Sequence, residues 1–296
     1  MRLAGVLVAA VVALAAGAAA MVPLILKQHR IDQPPAVFAG STSLLAVPVA
    51  GGTPRPVLTL HGQWEFPVAT ADGKALLLER PALTRTALWR VPLDGASPKL
   101  LGNLTSFREL AWSPDQTRYA TWDATSLVID RANGTRIRTL ARPNGGWGPA
   151  WSGHYISAEL QLRPGKETQR DELAVWRPDG TLVWRTILAG TPGPAAVSPD
   201  GTRVVALSLH GLELITKHGS RQLASNVEQG LAPEWTPNGR GVVYWDAEGR
   251  LVLRLIATNR LHVITRAAYP GLSYGLSPDG KTVYLTRLNE AVNMPK

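Results

Sequence analysis

The segment Gly271-Leu272-Ser273-Tyr274-Gly275 spells the G-x-S-x-G pattern in which a sharp strand-to-helix turn lifts a serine hydroxyl for acyl transfer. The neighbouring residues do not supply that turn. The chain runs straight on into Leu276-Ser277-Pro278-Asp279-Gly280 and another stretch of β-formers, so no helix follows Ser273 and no catalytic role is expected of it. The six histidines, His29, His61, His154, His210, His218 and His262, include no pair at the close spacing of a zinc hydrolase. Cysteine is absent, which excludes disulfides, thiolate metal sites, cysteine nucleophiles and a lipid-modified cysteine. Asp72, Asp115, Asp200 and Asp279 are donors of the kind calcium takes, but whole repeats separate them and each sits where it caps its own turn. No metal and no cofactor is expected.

The remaining chemistry is that of binding. Of the 10 tryptophans, Trp112, Trp151 and Trp235 share one register ahead of a repeated turn and read as packing between sheets. Trp64 and Trp147 fall outside that register, in stretches that lead into the strand before the turn. Arg108, Arg142, Glu228, Arg266 and Tyr269 lie in the corresponding stretches. Aromatic and arginine side chains gathered at the mouth of a fold are the types that anchor protein partners, so these seven residues form the expected partner-binding set. The polar stretch from Arg163 to Glu172 is a further candidate contact loop.

Six short turns must position these side chains. They read Thr70-Ala71-Asp72-Gly73, Ser113-Pro114-Asp115-Gln116, Ser152-Gly153-His154-Tyr155, Ser198-Pro199-Asp200-Gly201, Thr236-Pro237-Asn238-Gly239 and Ser277-Pro278-Asp279-Gly280. Proline pre-sets the second position, Asp or Asn caps at the third and glycine tolerates the fourth, which is turn chemistry. Apolar residues precede each turn and β-formers follow it, as in Val204-Val205 and Val242-Val243-Tyr244, so each is the bend of a β-hairpin. The copies recur at steps of about forty residues, the period of a four-stranded propeller blade. A second set of hairpins turns at Gly51, Gly95, Gly134, Gly180, Gly219 and Thr258-Asn259.

The order of the two sets predicts how the ring is completed. The first outer hairpin precedes every inner one, and the last inner hairpin has no outer one after it. The orphan from Ser43 to Leu60 should therefore pair with the orphan from Leu272 to Leu288, giving an all-β, six-bladed β-propeller over residues 43–290 with a tail at 291–296. The repeats resemble those of the TolB family and its relatives with WD40-like repeats. That resemblance implies the propeller fold over nearly all the chain beyond its N-terminus, and it leaves function open, because such rings serve as envelope scaffolds, peptidase regulatory domains and lyases alike. TolB carries an α/β domain ahead of its propeller; only about forty residues precede the first strand here, so the Tol-Pal role is not implied.

From Leu3 to Leu26 the chain carries no charge, long enough for an N-terminal hydrophobic helix to span a bilayer. Residues 1–30 read as an uncleaved signal anchor or as a signal peptide cut after Ala18-Ala19-Ala20; the length of the apolar run favours the anchor. Residues 31–42, with Gln33-Pro34-Pro35, read as a stiff linker. Flanking charges do not fix the orientation, so a cytosolic ring on an N-out anchor is an alternative to the favoured extracytoplasmic, inner-membrane-anchored one. The net charge of +9 favours an anionic partner: an acidic face of an envelope or membrane protein, an anionic polymer, or a lipid surface. Nucleic acid is not expected, since the basic residues are dispersed and no recognition motif appears. The expected function is non-catalytic binding through the funnel face, with a subunit of a larger membrane complex as one form of it. An envelope hydrolase or lyase with a site assembled from several blades is the alternative.

Overall fold

The computed structural model describes residues 40–81, 86–104, 110–123, 126–141, 146–161, 171–188, 193–266 and 273–289. The N-terminal hydrophobic segment and its linker up to residue 39 lie outside the described residues. Twenty-four strands form six four-stranded antiparallel sheets. The first sheet runs β3 (Glu65–Ala69), β4 (Ala75–Pro81), β5 (Thr86–Pro92), β6 (Lys99–Leu104), and the second β7 (Ala111–Trp112), β8 (Arg118–Asp123), β9 (Ser126–Arg131), β10 (Arg136–Ala141). The third runs β11 (Gly146–Ser152), β12 (Tyr155–Gln161), β13 (Asp171–Trp176), β14 (Leu182–Ile187), and the fourth β15 (Ala195–Val197), β16 (Val204–Ser208), β17 (Gly211–Thr216), β18 (Gly219–Ala224). The fifth holds β19 (Glu234–Trp235), β20 (Gly241–Trp245), β21 (Arg250–Leu255) and β22 (Leu261–Arg266). The sixth is composite: β23 (Ser273–Leu276) and β24 (Thr282–Asn289) are followed outward by β1 (Ser41–Pro48) and β2 (Arg55–His61). Within it β1 runs antiparallel to β24 in unbroken register from Ser41↔Asn289 to Pro48↔Thr282.

The architecture is an all-β, six-bladed propeller, and no helix occurs among the described residues. The first strand of each repeat is innermost: β23 packs on β3, β11 on β7 and β15, and β15 on β19. Middle strands are buried on both faces, as the runs Ala75 to Leu78 in β4 and Val204 to Leu207 in β16 show. Outer strands such as β10 and β18 are largely exposed. The apolar cores accordingly lie between blades rather than inside them. Leu173 and Val175 of the third blade meet Val197, Val204 and Ile215 of the fourth, and Leu44 of the sixth meets Leu76 and Leu78 of the first.

Five of the six repeated turns are held by a hydroxyl hub. In the fourth blade Ser198 Oγ donates to Asp200 Oδ1 at 2.5 Å and accepts the Arg203 amide at 3.0 Å, while Asp200 Oδ1 accepts the Thr202 amide at 3.0 Å. The same hub is built on Thr70, Ser113, Thr236 and Ser277. Although burial opposes it, these donors hold the Asp200 carboxyl down at about 2. The third blade replaces the hub with a tighter bend in which Ser152 pairs directly with Tyr155 and Gly153 takes φ +55°. The shared-register tryptophans serve as packing: Trp235 donates its indole N–H to Ala196 O of the preceding blade at 2.9 Å, and Arg203 lies 4.9 Å over its ring. Arg118 covers Trp151 in the same way at 5.4 Å.

At the seam between the sixth and first blades two inner strands approach closely. A Cβ added at Gly275 in β23 would lie 1.8 Å from Pro67 O in β3, whereas one at Gly73 meets nothing but would sit on φ +66°. Gly275→Ala should therefore lower unfolding stability by about 3 kcal/mol through forced separation of two blades. Gly73→Ala should cost about 1 kcal/mol through backbone strain alone. Urea denaturation of the two variants measures the difference; equal effects would mean that the seam yields.

Candidate functional site

Antiparallel order places the starts of the innermost strands at one end of the ring, together with the bends between second and third strands. The repeated turns lie at the other end. The first end is the mouth.

At that mouth stands a residue the sequence did not single out. Phe66, in β3, adopts φ +52°, a left-handed backbone that costs a bulky side chain about 1–2 kcal/mol. It sits in a register shift between Glu65 and Val68 and remains 37% exposed. Its amide donates to Ser273 Oγ at 2.8 Å, and that hydroxyl shares a 2.6 Å hydrogen bond with Thr286 Oγ1, which is buried in β24. Ser273 is thus a strut in β23 that holds the Phe66 backbone, and the strand continues into another hairpin, as the context of the G-x-S-x-G segment requires. Beside it, Gln63 Nε2 donates to Glu65 Oε1.

The expected partner-binding residues are distributed unevenly. Trp64 is a correction: it is 4% exposed, donates its indole N–H to His61 O at 2.8 Å, meets Trp89 edge-on at 5.6 Å and lies under the Arg80 guanidinium. It packs beneath the mouth because its ring has apolar neighbours and its polar atom has a backbone partner. Arg266 is exposed at the end of β22, opposite Arg250, which is itself held by Asp246 at 2.7 Å and Glu248 at 2.8 Å. Glu228 is half-buried, with its amide on Trp245 O at 2.9 Å. Trp147 belongs to β11 itself, opposite Glu159, rather than to the connection before it. Arg108, Arg142 and Tyr269 lie outside the described residues. Of the polar stretch from Arg163 to Glu172, Asp171 and Glu172 belong to β13 and the rest lies outside the described residues.

Deeper along the inner strands, Glu234 accepts the Leu276 amide from the neighbouring blade at 3.0 Å. Tyr274 beside it donates its hydroxyl to Ala232 O at 2.6 Å, with Val243 O at 3.1 Å. Burial pushes the Glu234 carboxyl up to about 8, against the restraint of the Leu276 N–H. The acidic residue in an otherwise apolar slot, Leu231-Ala232-Pro233-Glu234-Trp235, was the available signal for it. On the outer rim a separate cavity of about 320 Å³ is lined in part by Tyr244, Asp246, Arg250 and Arg254. Arg254 is already held there by Tyr244 Oη at 3.0 Å and Asn259 Oδ1 at 2.8 Å, so the rim groove offers no unengaged guanidinium.

Six sheets in this order match known structures across the whole ring. A protein of Agrobacterium tumefaciens described as TolB superposes with a TM-score of 0.64 at 19% identity, covering 85% of this chain and 99% of that one. The fold is that of the TolB-like propellers. TolB from Acinetobacter baumannii superposes with a TM-score of 0.51 at 14% identity, covering 88% of this chain and 68% of its own. No family profile matches the chain, and no curated protein does. At these identities the TolB likeness is one of fold.

The raised Glu234 carboxyl gives a signed prediction. A carboxyl whose folded value lies above its unfolded one contributes stability that is complete below the unfolded value and is lost as pH rises through the folded value. Melting temperature should therefore fall from pH 5 to pH 8, and Glu234→Gln, which keeps an acceptor for the Leu276 amide, should flatten that fall. A wild-type slope unchanged in the variant would exclude Glu234 as its source.

Proposed function

We propose that this TolB-like propeller is a non-catalytic binding scaffold that docks another envelope protein on its mouth face. The reading includes export of the ring and a tether formed by the apolar segment from Leu3 to Leu26. The observation that carries it is Phe66. A partly exposed aromatic residue is kept on a strained backbone by a buried serine–threonine strut, and a residue selected for stability alone would not be held there. Arg266 supplies an exposed cation at the same end, and Arg108, Arg142, Trp147, Glu228 and Tyr269 complete the proposed face. Trp64 stiffens it from beneath. The positive net charge suits an acidic partner surface, and electrostatic steering would raise the rate of encounter.

The decisive variant is Phe66→Gly, because glycine accepts φ +52° without strain. The variant should melt no lower than wild type yet lose at least about tenfold in cross-linked capture of its partner from membranes, the loss expected of an anchor residue. Arg266→Ala, and the pair Trp147→Ala with Arg108→Ala, should weaken capture in the same direction. Undiminished capture by Phe66→Gly would remove the mouth face from the account, and specific turnover of an envelope polymer or peptide by the purified chain would replace the scaffold with an enzyme. Intact mass of the mature protein tests the tether: the full apolar segment should be retained, and a new N-terminus near Met21 would contradict it.

A further inference from the structure

The positive charge of the chain is divided unevenly between the two ends of the ring. At the end opposite the mouth, each of the six outer hairpins carries an exposed cation beside its bend: Arg55, Lys99, Arg131, Arg177, Lys217 and Arg260. None of the six forms an ion pair among the described residues. The aspartates at the same end are turned to local work. Asp72, Asp94, Asp115, Asp179, Asp200 and Asp279 each accept, through Oδ1, a backbone N–H of their own turn at 2.8–3.1 Å. At the mouth end the balance is reversed, since the described acids, Glu65, Glu79, Glu213 and Glu228 among them, outnumber the described cations.

Apolar side chains share the rim with these cations. Leu100 follows Lys99, Ile137 lies between Arg136 and Arg138, Leu182 and Val183 open β14 a few residues after Arg177, and Leu261 follows Arg260; all five are 40–45% exposed. Each stands at the turn end of an outer strand. A single exposed leucine needs no explanation. The same pairing of an apolar residue with a nearby cation on four of the six outer strands is a pattern, and it is the pattern of an interfacial surface, in which cations meet phosphate headgroups and apolar side chains enter the headgroup–acyl boundary.

We propose that the turn end of the ring is a seat for an anionic phospholipid bilayer, separate from docking at the mouth. The six cations stand at the periphery, one on each blade, with their hairpin bends at one end of the ring. A compact acidic ligand could meet only a few of them, whereas a laterally continuous anionic surface meets all. An anionic polymer would take the charges and leave the leucines in water; a bilayer takes both. The aspartates do not oppose the contact, because their carboxylates are committed to the turns.

The test is vesicle binding by the full chain carried in nanodiscs of pure phosphatidylcholine, so that the apolar N-terminal segment is already supplied with a neutral bilayer. Added vesicles containing about one-third phosphatidylglycerol should be bound, vesicles of pure phosphatidylcholine should not, and about 0.5 M NaCl should release the bound ones. Lys217→Gln with Arg260→Gln, and Arg131→Gln with Arg177→Gln, should each weaken binding at least about tenfold. Leu182→Ser with Val183→Ser should weaken it at least about threefold without changing its salt dependence. Arg287→Gln, which removes an exposed cation at the mouth end, should leave binding within about twofold of wild type. All these positions are exposed, so melting temperatures should match wild type; if one charge pair fails to fold, the other decides. Equal binding of the two kinds of vesicle, undiminished binding by both charge pairs, or an equal loss in Arg287→Gln overturns the seat. Undiminished binding by the Leu182→Ser, Val183→Ser variant would replace the bilayer with a partner that reads charge alone, an anionic polymer or an acidic protein.

Discussion

Burial of every sheet on both faces is the constraint from which the rest of this structure follows. The middle strands carry apolar side chains on each side, as in the wholly buried β13 and β20, so no blade can satisfy itself. A blade with one neighbour would leave a row of valine and leucine in water, and a row of six blades would leave two. Stacking the sheets around a circle removes both ends. The composite sixth sheet is the physical expression of that requirement, since its β1 and β24 come from opposite ends of the repeats and supply Val47, Val283 and Leu285 to the core shared with the fifth blade and Leu44 to the core shared with the first.

Polar groups in this structure act mostly between blades or inside turns. The hydroxyl hubs set five inner hairpins, while the Trp235 indole, the Glu234 carboxylate and the Ser273 hydroxyl each reach a backbone group of an adjacent blade. These bonds add direction to packing that is otherwise non-directional. They also divide the inner strands into a buried region that resists change and a mouth where side chains can be spared for binding. Phe66 lies at that boundary, with its backbone tied to the sixth blade and its side chain partly exposed.

The repeats were legible in the sequence because turn chemistry is local: serine, proline, aspartate and glycine do the same thing in every copy. The tryptophans ahead of the turn were legible for the same reason. The site was less so. Trp64 looked like an anchor from its position, but the neighbourhood that buries it, with His61 O, Trp89 and Arg80, is assembled by register. Phe66 gave no signal, because a left-handed phenylalanine has the same letter as a right-handed one. Glu234 was the exception, an acid in a slot that other repeats fill with small or apolar residues.

The claim that mutual burial makes the ring one cooperative unit, with its composite sheet as firmly held as any other, is open to native-state hydrogen exchange. The amides of Leu44 to Val47 and Val283 to Thr286 should exchange as slowly as those of Ile156 to Leu160, and with the same dependence on denaturant. Exchange of the first two groups at markedly lower free energy, while the third blade remains protected, would show that the sheet joining the two ends of the chain is not what holds the ring together.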